Sequence, residues 1–169
     1  LELMKTQCIR NVFLPPTAIK TMRAGLRNDV AQIDLRTVGS GGETLGAELI
    51  DWCAETLGAQ VNEFYGQTEC NMVTTSCGAD YAPRPGAIGK AVPGFDLAVI
   101  DDDGVPTAGE GDIAVRRGAP SMMLGYWQRP EATEAKFRGA WMLTGDRGIW
   151  EGDYLRFVAR EDDVITSAG

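Results

Sequence analysis

The sequence predicts an α/β protein: a partial parallel α/β layer followed by a small β-rich, distorted barrel-like subdomain. Three observations carry this expectation. Helix-like and strand-like segments alternate through the first half, a stretch dense in Pro and Gly follows Pro83, and short strand candidates with a single helical segment lie beyond it. The 169 residues, 44% hydrophobic and 24% charged, suffice for one or two globular domains with a sizeable core.

Pro16 to Leu26 should form a helix, with Pro at its start and Ile19, Met22 and Leu26 along one side. Leu35-Arg36-Thr37-Val38 makes a short strand that runs into Gly39-Ser40-Gly41-Gly42. Leu45, Leu49, Trp52, Cys53 and Leu57 recur at three- and four-residue steps, which is helical spacing, and Gly58 sits where a C-terminal cap belongs. Gln60 to Tyr65 is the next strand, ending at Gly66. The closely spaced Pro and Gly of APRPGAIGKAVPG rule out a regular element there. Further strands are expected at Leu97–Ile100, Asp112–Arg116, Trp141–Leu143 and Tyr154–Val158, with a turn at Asp101-Asp102-Asp103-Gly104 and a helix over Pro130–Phe137. Residues 1–88 form the α/β part, 89–158 the β-rich part and 159–169 a terminal segment.

Composition excludes several classes of function. With 16 Lys and Arg against 24 Asp and Glu, the net charge of -8 offers no footprint for a nucleic-acid backbone or an anionic membrane. No apolar run approaches the roughly 18 residues of a membrane span, and LELMKTQCIRN lacks the layout of a signal peptide. There is no histidine, which removes Ser-His-Asp and Cys-His catalysis and any zinc site with a His ligand. Cys8, Cys53, Cys70 and Cys77 form no C-x-x-C pair, so reduced thiols in a cytoplasmic protein are the expectation.

Four short motifs have chemical potential, and each alone has a bland alternative. Tyr65-Gly66-Gln67-Thr68-Glu69 stands at a strand end, where open α/β sheets bind ligands. There Gly lets the backbone approach a phosphate, Thr donates to its oxygens, Glu holds Mg²⁺, and Tyr offers a face to a base. In isolation it is a polar turn. Gly39-Ser40-Gly41-Gly42-Glu43 hints at a close ligand approach, yet it is neither a Walker A loop nor G-x-G-x-x-G, since Thr44 stands where the last Gly belongs. Thr144-Gly145-Asp146 puts at a strand end an acid suited to ribose hydroxyls, or is merely a turn. The tail from Tyr154 makes a strand followed by Arg160-Glu161-Asp162-Asp163, usually a solvated turn.

In this order and spacing the four together resemble the adenylate-forming superfamily: acyl- and aryl-CoA synthetases, luciferases and peptide-synthetase adenylation domains. YGQTE resembles its phosphate and Mg²⁺ motif, SGGE its adenine-side loop, TGD its ribose motif, GYWQRPEATEAKF the segment before that motif, and AREDDVITSAG its hinge. The resemblance implies a two-step reaction, with MgATP and a carboxylate giving acyl-AMP and pyrophosphate and the thiol of CoA then displacing AMP. It also implies that Tyr65 stacks on adenine, Gly66 and Gln67 border the nucleotide, Thr68 contacts phosphate and Glu69 holds Mg²⁺, making Thr68 and Glu69 the catalytic pair. Asp146 would take the ribose hydroxyls, Arg160 would reach the nucleotide, Asp162 would be the hinge, and Gly41, Gly42 and Glu43 would flank adenine and the acyl pocket.

Ala159 and Thr166 stand where Gly and Lys are common, and neither the Ser/Thr/Gly-rich phosphate loop nor the C-terminal domain with its lysine is in the sequence. The chain is thus expected to be an inactive piece of a short- or medium-chain acyl-CoA synthetase, ending in the hinge. A truncated sheet with an open edge would favour homo-oligomers. The alternatives are a non-catalytic nucleotide- or acyl-adenylate-binding module and another family enzyme, such as a peptide-synthetase adenylation domain. No Asp occurs in Val12-Phe13-Leu14-Pro15-Pro16-Thr17, where amino-acid-activating domains grip the substrate amine, so an uncharged aliphatic or aromatic acyl tail is favoured.

Overall fold

The computed structural model describes residues 1–26, 33–43, 45–81 and 83–160. The chain divides into two compact units, Leu1–Tyr65 with Thr75–Gly89, and Gly66–Thr74 with the chain from Lys90 on.

The first unit contains α1 (Glu2–Thr6), β1 (Asn11–Phe13), α2 (Pro16–Gly25), β2 (Thr37–Gly41), α3 (Ala47–Leu57) and all but the last two residues of β3 (Gln60–Gln67). Pro16 opens α2, where its fixed φ and missing N–H suit the first turn, and Ile19 is buried beneath it. Leu49, Cys53 and Leu57 carry the buried stripe of α3, and Gly58 ends it at φ 63, the left-handed cap that the spacing predicts. β2 pairs in parallel with β1 (Val12 with Val38) and with β3 (Val38 with Val61). Ile19, Leu35, Val38, Leu45, Leu49, Cys53, Leu57, Ala59 and Val61 close one core between these strands and helices. The expected parallel layer is therefore present. Its middle strand is displaced: β2 begins at Thr37, not Leu35, and takes Gly39, Ser40 and Gly41 into the sheet.

The second unit is antiparallel. β6 (Leu97–Ile100), β7 (Gly111–Arg116), β9 (Trp141–Glu151) and β10 (Tyr154–Arg160) lie in the order β10-β9-β7-β6, and β8 (Phe137–Arg138) pairs with β9. β4 (Asn71–Thr75) and β5 (Lys90–Ala91) complete the strands, with Val92 N–H donating to Val73 O at 2.9 Å. The predicted turn between β6 and β7 forms because Asp101 Oδ1 accepts the N–H groups of Asp103 (3.0 Å) and Val105 (2.8 Å), while Gly104 takes φ 79. Val99, Ile100, Ile113, Val115, Met142 and Leu155 are buried. Gly111 and Gly148 are ladder partners, and a Cβ on either would strike a backbone carbonyl oxygen, Ile100 O or Arg156 O respectively. α4 (Pro130–Ala135) is shorter than expected, since Phe137 and Arg138 leave helical geometry to pair with β9. β9, expected to span three residues, runs for eleven.

Candidate nucleotide-binding site

In the first unit, the loop motif turns out to be mostly strand. A Cβ on Gly41 would lie 2.6 Å from the Phe64 ring and 2.7 Å from Phe64 O, so this glycine lets β2 and β3 approach at that point. Only Gly42, at φ 93, and Glu43 leave the strand, and both are exposed. Ser40 is fully buried, and its hydroxyl has no hydrogen-bond partner among the described residues. Its ladder partner Glu63 is also buried and accepts the Leu45 N–H at 2.9 Å. Burial pushes the Glu63 carboxyl above the usual carboxylate range, with the Leu45 bond opposing. Sequence reasoning passed over Glu63, although an acid two residues after Val61 falls on the same inward face of β3. Tyr65, the expected adenine platform, is half-buried on the same strand.

In the second unit, β3 continues through Gly66 and Gln67, and the chain turns at Thr68-Glu69-Cys70 directly into β4. YGQTE is thus half strand and half hairpin turn, not a loop leaving the sheet. Gly66 is required, since a Cβ would strike Asn71 O. Thr68 is exposed at the turn, while Glu69 is partly covered. A neighbouring segment straps this turn: Tyr126 Oη donates to Glu69 Oε1 (2.6 Å), Met123 N–H to Glu69 O (2.7 Å) and Ser121 Oγ to Cys70 O (2.6 Å). The Tyr126 bond, with help from the Lys136 charge, holds the Glu69 carboxyl below its ordinary range, and the same bond pushes the Tyr126 phenol up to about 12. Glu69 therefore stays ionised and oriented.

The ribose motif sits on a bulge. Ala114 pairs with Leu143 and Asp112 with Arg147, which leaves Thr144, Gly145 and Asp146 opposite Ile113 alone. Thr144 Oγ1 replaces the missing ladder group: it donates to Ile113 O (2.8 Å) and accepts the Asp146 N–H (3.2 Å). Gly145 supplies φ 81, which other residues adopt at a cost. The Thr144 carbonyl accepts the Gln67 amide (3.0 Å) and Lys136 Nζ (3.3 Å). The hairpin turn and the bulge, 77 residues apart, are therefore tied directly. Asp146 is 8% exposed, and its Oδ1 lies 3.3 Å from Arg160 Nε, its ladder partner on β10.

Gln67, Thr144, Asp146 and Arg160 are thus brought together, with Glu69 on the same turn as Gln67. Gly41, Gly42, Glu43 and Tyr65 belong to the first unit, and Asp162 lies outside the described residues. Sequence reasoning missed Tyr126 and Lys136, because nothing in the spacing of GYWQRPEATEAKF singles out those two side chains. No cluster of three or more His, Cys, Asp or Glu side chains able to enclose a metal occurs among the described residues. One oriented carboxylate such as Glu69 suits a Mg²⁺ held mainly by phosphate oxygens and water.

The AMP-binding enzyme family model matches residues 1–127. The chain belongs to the AMP-binding enzyme family. Within it, the chain is 39% identical over 142 residues to acyl-coenzyme A synthetase ACSM4, mitochondrial, of Rattus norvegicus, covering 80% of this chain and 24% of that protein. Over 175 residues it is 35% identical to the uncharacterized acyl-CoA ligase YtcI of Bacillus subtilis (strain 168), covering all of this chain and 32% of that protein. Among solved structures it is similar to the anthranilate CoA ligase AuaEII in complex with anthranoyl-AMP, with a TM-score of 0.84 and 27% identity over 96% of this chain and 32% of that one. The chain therefore spans about a quarter to a third of the length of these AMP-binding relatives.

Proposed function

We propose that the intact protein carrying this chain is an AMP-forming acid–CoA ligase that activates a short- or medium-chain or aromatic carboxylic acid with ATP. The observation that carries the reading is the Gln67–Thr144 bond, which fixes the turn bearing Thr68 and Glu69 to the bulge bearing Asp146. The carboxylates that the reading assigns to the phosphate side and the ribose side thereby belong to one compact unit. The names of the relatives, acyl-CoA synthetases and ligases, support the same reaction.

A carboxylic acid with a pKa of about 4 to 5 is ionised at neutral pH, so the first step needs no general base, and the lack of histidine is no obstacle. The acid's oxygen bonds to the α-phosphorus as the bond to pyrophosphate breaks. In the second step the CoA thiol gives up its proton to solvent and its sulfur bonds to the acyl carbon as the bond to AMP breaks. What the protein supplies is orientation and relief of anion repulsion. Asp146, aimed by the bulge, takes the ribose hydroxyls, and Arg160 beside it reaches the nucleotide. Gly66 and Thr68 border the phosphates. Glu69, kept ionised by Tyr126, would hold Mg²⁺, which when bound screens the phosphate charge.

An apolar acyl tail is supported by Phe13, 56% exposed in the segment that lacks an Asp, with its ring centroid 5.4 Å from that of Phe64. The four free cysteines suit a reducing compartment, such as the cytoplasm. Among the described residues no helix is long and apolar enough to cross a membrane.

The test supplies the intact protein with ATP, CoA and a panel of acids from acetate to dodecanoate plus benzoate. AMP and thioester should appear in equal amounts, with activity highest for short and medium chains or benzoate. Release of ADP, or ATP turnover indifferent to the acid, would contradict the proposal.

A further inference from the structure

Beside the ribose bulge lies a charge cluster that none of the nucleotide motifs contains. Asp112, on β7, is 8% exposed. Its carboxylate accepts Arg138 Nη1 at 2.7 Å and stands 3.5 Å from Arg147 Nη1. Arg147 Nε also donates to Glu110 Oε1 at 3.1 Å, and Arg138 Nη1 to Asp101 O at 3.0 Å. Asp112 and Arg147 form the first ladder pair beyond the bulge, and Arg147 directly follows Asp146 in the chain. A carboxylate this buried persists only with well-placed partners, so the cluster has a defined geometry.

The bulge needs such a fixture. Three residues opposite one leave the ladder locally broken, and Gly145 has no side chain to anchor it. The upstream side is held by the Thr144 hydroxyl, whereas the downstream side carries its anchor on Arg147. Wherever Arg147 is fixed, the Asp146 carboxylate one residue earlier is aimed.

We propose that Arg147 is a positioning residue for nucleotide selection: gripped by Asp112 and Glu110, it fixes the downstream shoulder of the bulge and so gives the site its preference for a ribonucleotide over a 2′-deoxynucleotide. This rests on the reading of Asp146 as the ribose-binding acid. Arg147 acts through Asp146 and does not itself touch the nucleotide.

The test measures the affinities of AMP and 2′-deoxy-AMP for the intact protein by calorimetry, with wild type, Asp146→Asn, Arg147→Met, Arg147→Lys and Glu110→Gln. A carboxylate that bonds the ribose hydroxyl should prefer AMP by about tenfold or more, and Asp146→Asn, whose neutral amide oxygen is a weaker acceptor, should reduce the preference severalfold. Arg147→Met leaves Asp112 paired with Arg138, so no buried carboxylate loses its last partner. It should shrink the preference to within about threefold by weakening AMP and sparing 2′-deoxy-AMP, with Arg147→Lys partly restoring it. Should Arg147→Met not fold, Glu110→Gln, changed at a half-exposed carboxylate, should still reduce the preference. An Arg147→Met protein that keeps the wild-type preference, or loses affinity for both nucleotides equally, overturns the inference while the Asp146→Asn result upholds the ribose reading. An Asp146→Asn protein that keeps the preference overturns both.

Discussion

Thr144 Oγ1 joins a strand carbonyl on one side and the Asp146 amide on the other, both buried, so a single hydroxyl holds the bulge in shape. Thr144→Val keeps the volume but leaves Ile113 O and the Asp146 N–H without that partner. It should cost about 1–3 kcal/mol in denaturant unfolding and weaken AMP binding, whereas Thr144→Ser should lose much less. Glu63 makes a second residue-scale prediction. Its carboxyl is raised by burial, so the folded state binds its proton more tightly than the unfolded chain does. That stability is present below the unfolded pKa and is lost as pH rises through the folded one. Glu63→Gln, which can still accept the Leu45 N–H, should therefore raise the thermal midpoint at pH 7, with the gain disappearing in acid. A midpoint difference independent of pH would contradict this account of Glu63. Residue identity and spacing pointed to Asp146 and Glu69, but not to Glu63 or Tyr126, whose roles arise from partners 18 and 57 residues away.

At the scale of elements, periodicity was informative wherever one face is apolar. The Leu49, Cys53, Leu57 stripe and Gly58 marked α3, while Asp101-Asp102-Asp103-Gly104 marked the turn between the strand candidates Leu97–Ile100 and Asp112–Arg116, which pair antiparallel. It was uninformative where polar residues point inward. β9 buries Met142, Thr144, Asp146 and Gly148 in strict alternation, while its Thr144-Gly145-Asp146 stretch looks like a turn in a sequence. Gly41 of β2 misled in the same way: it is there for Phe64, not for a loop. Gly41→Ala should consequently destabilise the protein by about 1–3 kcal/mol through overpacking, and Phe64→Leu in the same chain should recover part of the loss in a double-mutant cycle. Additive effects would show that Gly41 and Phe64 do not compete for the same space.

For the whole molecule, the acidic balance and missing histidines excluded classes of chemistry without naming one, and the family emerged only from four motifs in register. The family match over residues 1–127 spans two of those motifs, SGGE and YGQTE, while TGD and the tail lie beyond it. Composition could not reveal that the turn bearing Glu69 and the bulge bearing Asp146 share one compact unit, because that depends on a pairing across 77 residues. The proposed function requires that this unit hold an acyl-adenylate through Asp146. Its most direct test is a calorimetric titration of the intact protein with a non-hydrolysable octanoyl-AMP analogue and Mg²⁺, alongside Asp146→Ala. The account predicts saturable binding that the variant weakens by at least about tenfold. Equal binding by both proteins, or none by a folded wild type, would contradict it.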